Sequence, residues 1–287
     1  KKNEKNEAVI QLSGSKNKKN KIFIKSFNIK EKKNNISIEN LRLNEVYRII
    51  KLDSIVLNYV DKEKQKNQVK FYFVKNKYNL EGSFFNANKL VDDLLFSDSK
   101  SSFFDIDTII DINIKKIRLD NEYDLSNFIG NINLNKKQIT KADLTGDFSN
   151  NKKLKFTINT IDNNKVTTLY LDEARPIVKK YKFIKGFDKG ILDFYSSKKS
   201  NKSFSQLKIY DFKLKELPLL TKILTLASLQ GIADILSGDG IGFDEFEMNF
   251  TNKGNLMTIQ EIYAIGPAIS ILMDGYVEKD KVVSLRG

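Results

Sequence analysis

Apolar and polar residues alternate with a period of two along most of this chain, which is the pattern of strands that bury one face. Short segments rich in β-branched and aromatic residues recur with few helical patterns between them. The predicted strands are 21–29, 36–43, 53–60, 68–74, 105–119, 122–134, 137–148, 153–161, 165–171, 189–196, 206–214, 243–251, 255–265 and 268–278. Because no helical crossover separates most of them, the pattern predicts a mostly β protein with antiparallel pairing.

Two of these strands change the phase of their alternation partway along. In one, the apolar positions run to Ile114 and resume at Ile117; in the other, they run to Ile209 and resume at Phe212. One extra residue at each point, a β-bulge, would keep a single face of the strand apolar. Since bulges bend strands, the pattern favours an elongated, curved sheet.

Three helical patterns interrupt the strands. Residues 86–96 place their leucines and a valine on one helical face. Residues 172–183 carry Pro176 near the first turn, where the missing N–H costs nothing. Residues 216–238 are apolar nearly all round, but charged and polar side chains break the run, so a buried or groove-capping helix is favoured over an interfacial membrane helix.

The helices suggest a division of the chain into two parts. Residues 1–164 hold repeated amphipathic strands with one short helix, and residues 165–287 hold the other two helices. We expect one continuous β structure that belongs to a longer protein, because the sequence lacks an initial Met and stops within a strand pattern. Residues 1–20 are mostly Lys, Asn and Glu and are predicted to form a solvated, turn-rich edge.

Composition narrows the possible chemistry. The 287 residues include no Cys, His or Trp, which removes thiol nucleophiles, disulfides, histidine bases and Cys/His zinc sites. The net charge of +13 raises nucleic acid or an anionic membrane as partners. Only five of the 49 basic residues are Arg, and base readers and phosphate clamps depend on Arg, so nucleic acid is disfavoured as a partner.

The glycines at 238, 240 and 242 resemble a phosphate-binding loop at first sight. A dinucleotide loop follows a strand and opens a helix, whereas these glycines follow a helical pattern and open a strand. The negative end of the helix would face them, which disfavours a phosphate. We therefore predict a helix stop and a turn at this point.

The acidic residues give little support for catalysis. Asp92 and Asp93 would point about 100° apart on a helix, and Glu245 and Glu247 share the polar face of a predicted strand. A catalytic pair of carboxylates needs two environments that separate the pKa values, and neither pair shows this. We expect no enzyme, no cofactor and no metal site.

A family resemblance lies near the end of the chain. It consists of Pro-Leu-Leu at 218–220, Ala-Ser-Leu-x-Gly at 227–231, Gly-x-Gly-Ile-x-Phe at 238–243, Gly-Pro-Ala at 266–268 and Gly275. This pattern resembles the C-terminal part of the AsmA-like family of bacterial envelope proteins, especially its YhdP-like branch. The upstream stretch from Tyr170, with the second helix and the strand after it, is similar to the unit that precedes this block in the family.

The specific match covers roughly residues 165–287, and residues 1–164 match in style only, as amphipathic strands with a Gly near the end. The resemblance implies a periplasmic protein, anchored in the inner membrane by a segment outside this chain, whose sheet curls into an apolar groove. It implies lipid transfer between the inner and outer membranes, or maintenance of the outer membrane, with phospholipids and bacterial membranes as partners. It implies no catalytic residue.

The apolar strand positions are the candidate lipid contacts. They are Val69, Phe71, Phe73, Ile106, Ile110, Ile112, Ile114, Phe156, Ile158, Phe246, Met248 and Phe250. The competing interpretation is a closed β-sandwich or a scaffold module without lipid, in which the same side chains form an ordinary core. Periodicity alone favours the closed fold, and the resemblance favours the open groove.

Overall fold

A computed structural model describes residues 7–17, 21–96, 104–136, 138–180, 186–215, 240–278 and 282–287. Contacts between residues divide the chain into two compact units, Lys1–Ser149 (unit 1) and Asn150–Gly287 (unit 2). This boundary precedes the one predicted at 164/165, because residues 153–161 form a hairpin with the strand that follows and belong with it to unit 2. The predicted helix at 216–238 lies outside the described residues.

The described residues of unit 1 form ten strands. They are β1 Val9–Lys16, β2 Ile22–Glu31, β3 Asn34–Leu43, β4 Ile49–Lys51, β5 Ser54–Val60, β6 Lys66–Val74, β7 Lys77–Asn86, β8 Thr108–Arg118, β9 Asp124–Asn135 and β10 Gln138–Asp147. They pair in the order β1-β2-β3-β5-β6-β7-β8-β9-β10, and the short β4 also pairs with β3.

Unit 2 begins with a 3-10 turn, Ser149–Asn151, at the boundary between the units. Its strands are β11 Lys153–Ile161, β12 Asn164–Leu171, β13 Phe187–Lys199, β14 Lys202–Leu214, β15 Ile241–Lys253, β16 Leu256–Ile265, β17 Ser270–Glu278 and β18 Val282–Arg286. Every strand pairs antiparallel with the next one in the sequence. The described strands of the unit therefore form a meander, in which each strand lies beside its neighbours in the sequence.

Two-residue turns join many of the neighbouring strands. Lys75 and Asn76 connect β6 to β7 with φ angles of 49° and 61°, and Asp162 and Asn163 connect β11 to β12 with φ angles of 50° and 61°. Two successive residues with positive φ give the type I′ geometry, whose twist matches that of the flanking strands. Such turns fix the register of each hairpin, and hence which side chains share a face.

One pair of strands departs from the predicted antiparallel pattern. Strands β7 and β8 are parallel, because the chain between them carries the helix α1, Asn88–Phe96, and returns before the next strand starts. The helix lies within the predicted range 86–96, so that prediction is confirmed. The second helix, α2, is a single turn at Arg175–Val178 inside the predicted range 172–183, of which residues 181–183 lie outside the described part.

The predicted loop character of residues 1–20 is wrong for its central part. Residues 9–16 form β1, which pairs with β2 through main-chain hydrogen bonds, although all of its side chains are exposed. The strand has a short apolar run at Val9, Ile10 and Leu12, but the Lys, Asn and Glu residues around that run hide the strand signal. The other predicted strands are found, with shifts of a few residues at their ends.

The changes of phase inferred from the sequence are present. Ile114 and Ile117 are both buried, whereas Lys115 and Lys116 are both exposed. The predicted β-bulges are wrong, because the register with the neighbouring strands does not change at either point. At Ile114 the neighbours take the same three-residue step, so no extra residue is present. The facing pairs are Gly82 with Phe85 in β7 and Phe128 with Leu125 in β9.

The predicted fold class is confirmed: the protein is mostly β, with a curved antiparallel sheet and short helices. Within each unit, the extensive contacts between the described strands join neighbours in the sheet. A β-sandwich needs two stacked sheets, whereas the described strands pair into one open sheet within each unit.

Candidate functional site

One face of unit 1 is apolar from β1 to β9. Directly paired residues of neighbouring strands lie on the same face of a sheet, so the pairings show which side chains share this face. Two rows cross from strand to strand. The first row is Ile10, Ile29, Ile36, Leu57, Val69, Gly82, Ile114 and Phe128. The second is Leu12, Phe27, Ile38, Ile55, Phe71, Leu80, Ile112, Gly130 and Leu144. We call these two rows the unit 1 apolar face.

The unit 1 apolar face is buried at one side and exposed at the other. Ile114 is 1% exposed, whereas Leu12 is 65% exposed. The opposite face of the same strands is mostly polar, as in the facing pair Lys70 and Glu81. The sheet of unit 1 is thus amphipathic, with an apolar track that runs across its strands.

An aromatic cluster closes one end of β6 and β7 on this face. The rings of Phe71 and Tyr78 stack with their centroids 4.7 Å apart, and Phe73 lies 5.0 Å from Tyr78. The hydroxyl of Tyr78 donates a hydrogen bond of 3.0 Å to the carbonyl oxygen of Leu52, which is 1% exposed. Burial is the main reason that the pKa of Tyr78 is raised.

At the other end of β6 and β7, polar side chains form hydrogen bonds with one another and with the backbone. Asn67 is fully buried; its side-chain NH₂ donates to Asp61 Oδ2 at 3.0 Å, and its side-chain oxygen accepts from the backbone N–H of Asn86 at 2.7 Å. Asp61 also accepts from the side-chain NH₂ of Asn86 and from two backbone N–H groups, of Glu63 and Gln65. Burial opposes ionisation of Asp61, but these hydrogen bonds outweigh it and lower its pKa.

Unit 2 has an apolar face of the same kind. Its first row is Leu154, Leu171, Leu192, Ile209, Phe246, Ala264 and Ile271. Its second row is Phe156, Leu169, Phe194, Leu207, Met248, Ile262 and Met273. We call these two rows the unit 2 apolar face. No Asp or Glu occurs in either row, so the face carries no negative side chain.

Packed aromatic residues and α2 close one end of β13 and β14. Phe212 stacks between Phe187, at 5.4 Å, and Phe243, at 5.1 Å, and all three are buried. Gly190 lies against this stack with φ +89°, and a Cβ there would come within 3.1 Å of Phe212. The backbone N–H of Ala174, just before α2, donates to the carbonyl oxygen of Gly190 at 2.8 Å. This end of unit 2 is a packed core.

The other end of the same strands is polar on the apolar side of the sheet. Its members follow the two apolar rows along β11 to β14 and face one another across the strands. They are Thr160, Lys165, Lys198 and Ser203 in the outer row, and Thr167, Ser196 and Ser205 in the inner row. We call these seven residues the lysine corner. Two cations thus lie on a face that is otherwise apolar.

The lysine corner is electrostatically unbalanced. Lys165 and Lys198 face each other directly across β12 and β13. The pKa of Lys165 is lowered, first by burial and then by the charge of Lys198. The hydroxyl oxygen of Thr160, the residue opposite Lys165 on the other side, is buried and has no hydrogen-bond partner. Ser205, 2% exposed, donates to Ser196 Oγ at 2.9 Å.

The structure places eleven of the twelve predicted contact residues on the apolar side of β-strands. Val69, Phe71, Phe73, Ile110, Ile112 and Ile114 share one side of unit 1, and Phe156, Ile158, Phe246, Met248 and Phe250 share one side of unit 2. The exception is Ile106, which lies in a bend before β8. The lysine corner was missed, because lysines at strand ends carry no signal of which residues they face.

The remaining predictions concern turns and carboxylates. Gly240 has φ +81°, and a Cβ there would meet the carbonyl oxygen of Leu214 at 2.8 Å, as expected for a turn into β15; Gly238 lies outside the described residues. Glu247 accepts hydrogen bonds from Lys208 and Asn249 on the polar face, and these lower its pKa. It is one member of a hydrogen-bonded surface group with Lys208 and Asn249.

Two searches of the described residues gave negative results. They contain no group of three or more acidic residues placed to hold a metal ion. No helix in the described ranges is both long and apolar enough to cross a membrane. Comparisons with protein-family profiles, curated proteins and solved structures found no match to this chain.

Proposed function

We propose that this protein binds the acyl chains of phospholipids on its apolar sheet faces and transfers lipid between membranes or helps to maintain the outer membrane. The observation that carries the proposal is the continuity of the apolar rows, which cross from strand to strand in each unit. The resemblance to the AsmA-like family supports the same function. It also supports a periplasmic location with an inner-membrane anchor outside this chain.

The energy of lipid transfer explains why a continuous apolar face is required. Exposure of a lipid chain to water costs about 0.8 kcal/mol per CH₂ group, so a 16-carbon chain costs about 12 kcal/mol. Isolated apolar side chains cannot offset this cost, because every methylene must keep an apolar neighbour. Rows of Ile, Leu, Phe and Met that run across many strands meet that requirement.

The dimensions of the faces suit an acyl chain. Each leaflet contributes about half of the ~30 Å hydrocarbon core of a bilayer, or ~15 Å per extended chain. Neighbouring strands are about 4.8 Å apart, so a chain laid across the strands covers about four of them. In unit 2, both rows have an apolar side chain on each of the six strands from β11 to β16. In unit 1, the rows also cross at least six successive strands, with a glycine at one position in each row.

The two faces differ in exposure. Leu171 and Leu192, in the first row of unit 2, are buried, whereas the exposed part of the unit 1 apolar face lies at β1. Exposed apolar surface marks an interaction site more often than a structural surface. Leu12 and Ile10, in the rows of unit 1, are 65% and 63% exposed.

The test uses pairs of charge substitutions on opposite faces of one strand or of neighbouring strands. Phe194→Asp alters the unit 2 apolar face, and Tyr195→Asp places the same charge on the opposite face one residue away. Ile112→Asp and Ile129→Asp form the equivalent pair in unit 1. We expect the first member of each pair to abolish co-purifying phospholipid, measured by native mass spectrometry, and to stop transfer of fluorescent phospholipid between vesicles.

A second measurement, made on the wild-type protein, tests lipid binding without depending on whether the variants fold. Phospholipid with a photoreactive acyl chain, added to the wild-type protein, should crosslink to peptides at the apolar rows and not to the opposite faces. Wild-type protein that carries no lipid and gives no crosslink would identify a scaffold without cargo. Circular dichroism of Phe194→Asp and Ile112→Asp shows whether each variant still folds.

A further inference from the structure

The lysine corner suggests where the polar end of a lipid is held. Resting on the lipid-binding function proposed above, we propose that Lys165 and Lys198 bind the phosphate group of a phospholipid whose acyl chains lie on the unit 2 apolar face. The inner row of hydroxyl groups, between the lysines and the apolar rows, would then face the glycerol and ester region. The occupant is a phospholipid headgroup and not a free phosphate ion.

The first argument is the register that brings the two lysines together. Lys165 in β12 pairs directly with Lys198 in β13, so their Cβ atoms lie about 4.5–5.5 Å apart. Like charges in directly opposed positions destabilise a sheet. A ligand with negative charge would remove this repulsion, and a phosphate oxygen can accept hydrogen bonds from two ammonium groups at once.

The second argument is that the protein supplies no counter-charge. Some basic side chains of unit 2 pair with acids, as Lys208 does with Glu247 at 2.9 Å and Lys215 with Asp188 at 3.0 Å. Among the described residues, Lys165 and Lys198 have no carboxylate within ion-pair distance. The two apolar rows beside them contain no acidic residue either. The lysine corner therefore favours an anionic partner from outside the chain.

The third argument is the state of the neighbouring polar groups. Thr160, which faces Lys165 from β11, has a buried hydroxyl with no hydrogen-bond partner, and a buried unpaired hydroxyl costs free energy. Burial and the charge of Lys198 both lower the pKa of Lys165, so its charged form lacks stabilisation in the free protein. Both costs are relieved by one acceptor at this position.

The fourth argument is the distance between the lysine corner and the chain-binding rows. Residues on one face repeat every second position, about 6.7 Å apart along a strand. The row that contains Phe194 and Leu169 lies two such steps from the lysines, or about 13 Å. The hydroxyl row occupies the step between them. This order of cation, hydroxyl and apolar groups matches the order of phosphate, glycerol ester and acyl chain in a phospholipid.

The experiment compares two double variants of the full chain with the same change of net charge. Lys165→Gln with Lys198→Gln removes both corner lysines. Lys199→Gln with Lys202→Gln removes two paired lysines on the opposite face at the same strand ends. Three probes are titrated: phosphatidylglycerol with a fluorescent acyl chain, diacylglycerol with the same chains, and glycerol 3-phosphate.

We expect the corner variant to bind phosphatidylglycerol about tenfold or more weakly than wild type, because two charge-assisted hydrogen bonds are lost. Its affinity for diacylglycerol should not change, and the control variant should bind both probes like wild type. Unchanged binding of phosphatidylglycerol by the corner variant would overturn the headgroup assignment while chain binding stands. Glycerol 3-phosphate that binds wild type as tightly as phosphatidylglycerol would also overturn it, since the site would then take a soluble phosphate.

The remaining outcome separates this inference from the function on which it rests. If wild-type protein binds neither phosphatidylglycerol nor diacylglycerol, the apolar faces do not hold lipid, and both proposals fail together. If it binds diacylglycerol as tightly as phosphatidylglycerol, acyl-chain binding remains and only the phosphate site is lost.

Discussion

Units 1 and 2 differ in how the polar groups at one end of their strands are paired. In unit 1, the row beyond the apolar residues contains Asn67, whose side chain is fully buried and hydrogen-bonded to Asp61 and Asn86. In unit 2, the row beyond the apolar residues holds hydroxyl groups, and the next row contains Lys165 and Lys198 with no acid beside them in the described residues.

Natural proteins satisfy their buried polar groups. Thr160, beside these lysines, has a buried hydroxyl without a partner, whereas the unpartnered oxygens of Asn35 and Asn58 in unit 1 lie on the opposite face of their sheet. The polar end of unit 2 is therefore the better candidate for a ligand.

The two units are more alike at the opposite end. Unit 1 closes it with the stacked rings of Phe71 and Tyr78, and unit 2 closes it with Phe187, Phe212 and Phe243. Each unit therefore has a packed aromatic end and a polar end, and the two units differ mainly at their polar ends. Four predictions test this comparison of the units.

The largest effect is expected at the aromatic end of unit 2. Phe212→Ala should lower the free energy of unfolding by about 3–5 kcal/mol, because it opens a cavity between two stacked rings. Phe204→Ala is the matched control, since Phe204 lies on the same strand, faces the other side and is 45% exposed. Urea unfolding followed by circular dichroism measures both. A small effect at Phe212 would mean that this end is not the structural core of unit 2.

The next effect is expected at the polar end of unit 1. Asn67→Ala should cost about 2–3 kcal/mol, because it leaves the backbone N–H of Asn86 and one oxygen of Asp61 without this partner in a buried place. Urea unfolding measures the loss. Gln68→Ala, the next residue on the same strand with an exposed side chain, should change stability by less than about 0.5 kcal/mol. Equal effects from the two variants would remove the contrast between the units.

A gain in stability is expected at the polar end of unit 2. Thr160→Val removes a buried hydroxyl without a partner and keeps the shape, so it should stabilise the free protein by about 1 kcal/mol. Thr157 lies on the same strand, and its hydroxyl is hydrogen-bonded to that of Thr168 at 2.7 Å. Thr157→Val should therefore destabilise by about 1 kcal/mol. Opposite signs in thermal unfolding support the comparison, and a loss at both positions contradicts it.

The smallest effect concerns the charge of Lys165. Because its pKa is lowered in the folded state, the unfolded chain binds more protons between that pKa and the unfolded value of about 10.4. The penalty is present at every pH below the lowered pKa and disappears as the pH rises to the unfolded value. Lys165→Gln should thus stabilise the protein by about 0.5 kcal/mol at pH 7.

The pH dependence of this stability difference is the control for the prediction. The difference in urea midpoint between Lys165→Gln and wild type should shrink between pH 7 and pH 11, whereas Lys199→Gln should show no such trend. A difference that grows with pH would mean that Lys165 is stabilised, not strained, by its surroundings.

Much of this architecture can be read from the sequence. Period-two alternation identified most strands, and the step from Ile114 to Ile117 showed that one face stays apolar through a change of phase. Both signals are local, because the pattern of side chains along one strand depends on that strand alone. Strand β1 failed this rule, since its hydrogen bonds to β2 do not depend on apolar side chains.

Which residues face each other across two strands can be predicted from the sequence only in part. A two-residue turn fixes the register of β11 with β12, so the opposition of Thr160 and Lys165 follows from sequence once the turn at Asp162 is recognised. No such turn joins β12 to β13, because residues 172–186 and α2 intervene. The opposition of Lys165 and Lys198 was therefore decided by tertiary structure alone.

The sequence by itself determined the class of the fold, the apolar sides of the strands and the absence of Cys and His chemistry. The tertiary structure decided which charges share a face and which polar groups find partners. The physical reason is range: alternation and turn geometry act over a few residues, whereas the register of strands joined by a long connection depends on packing of the whole unit.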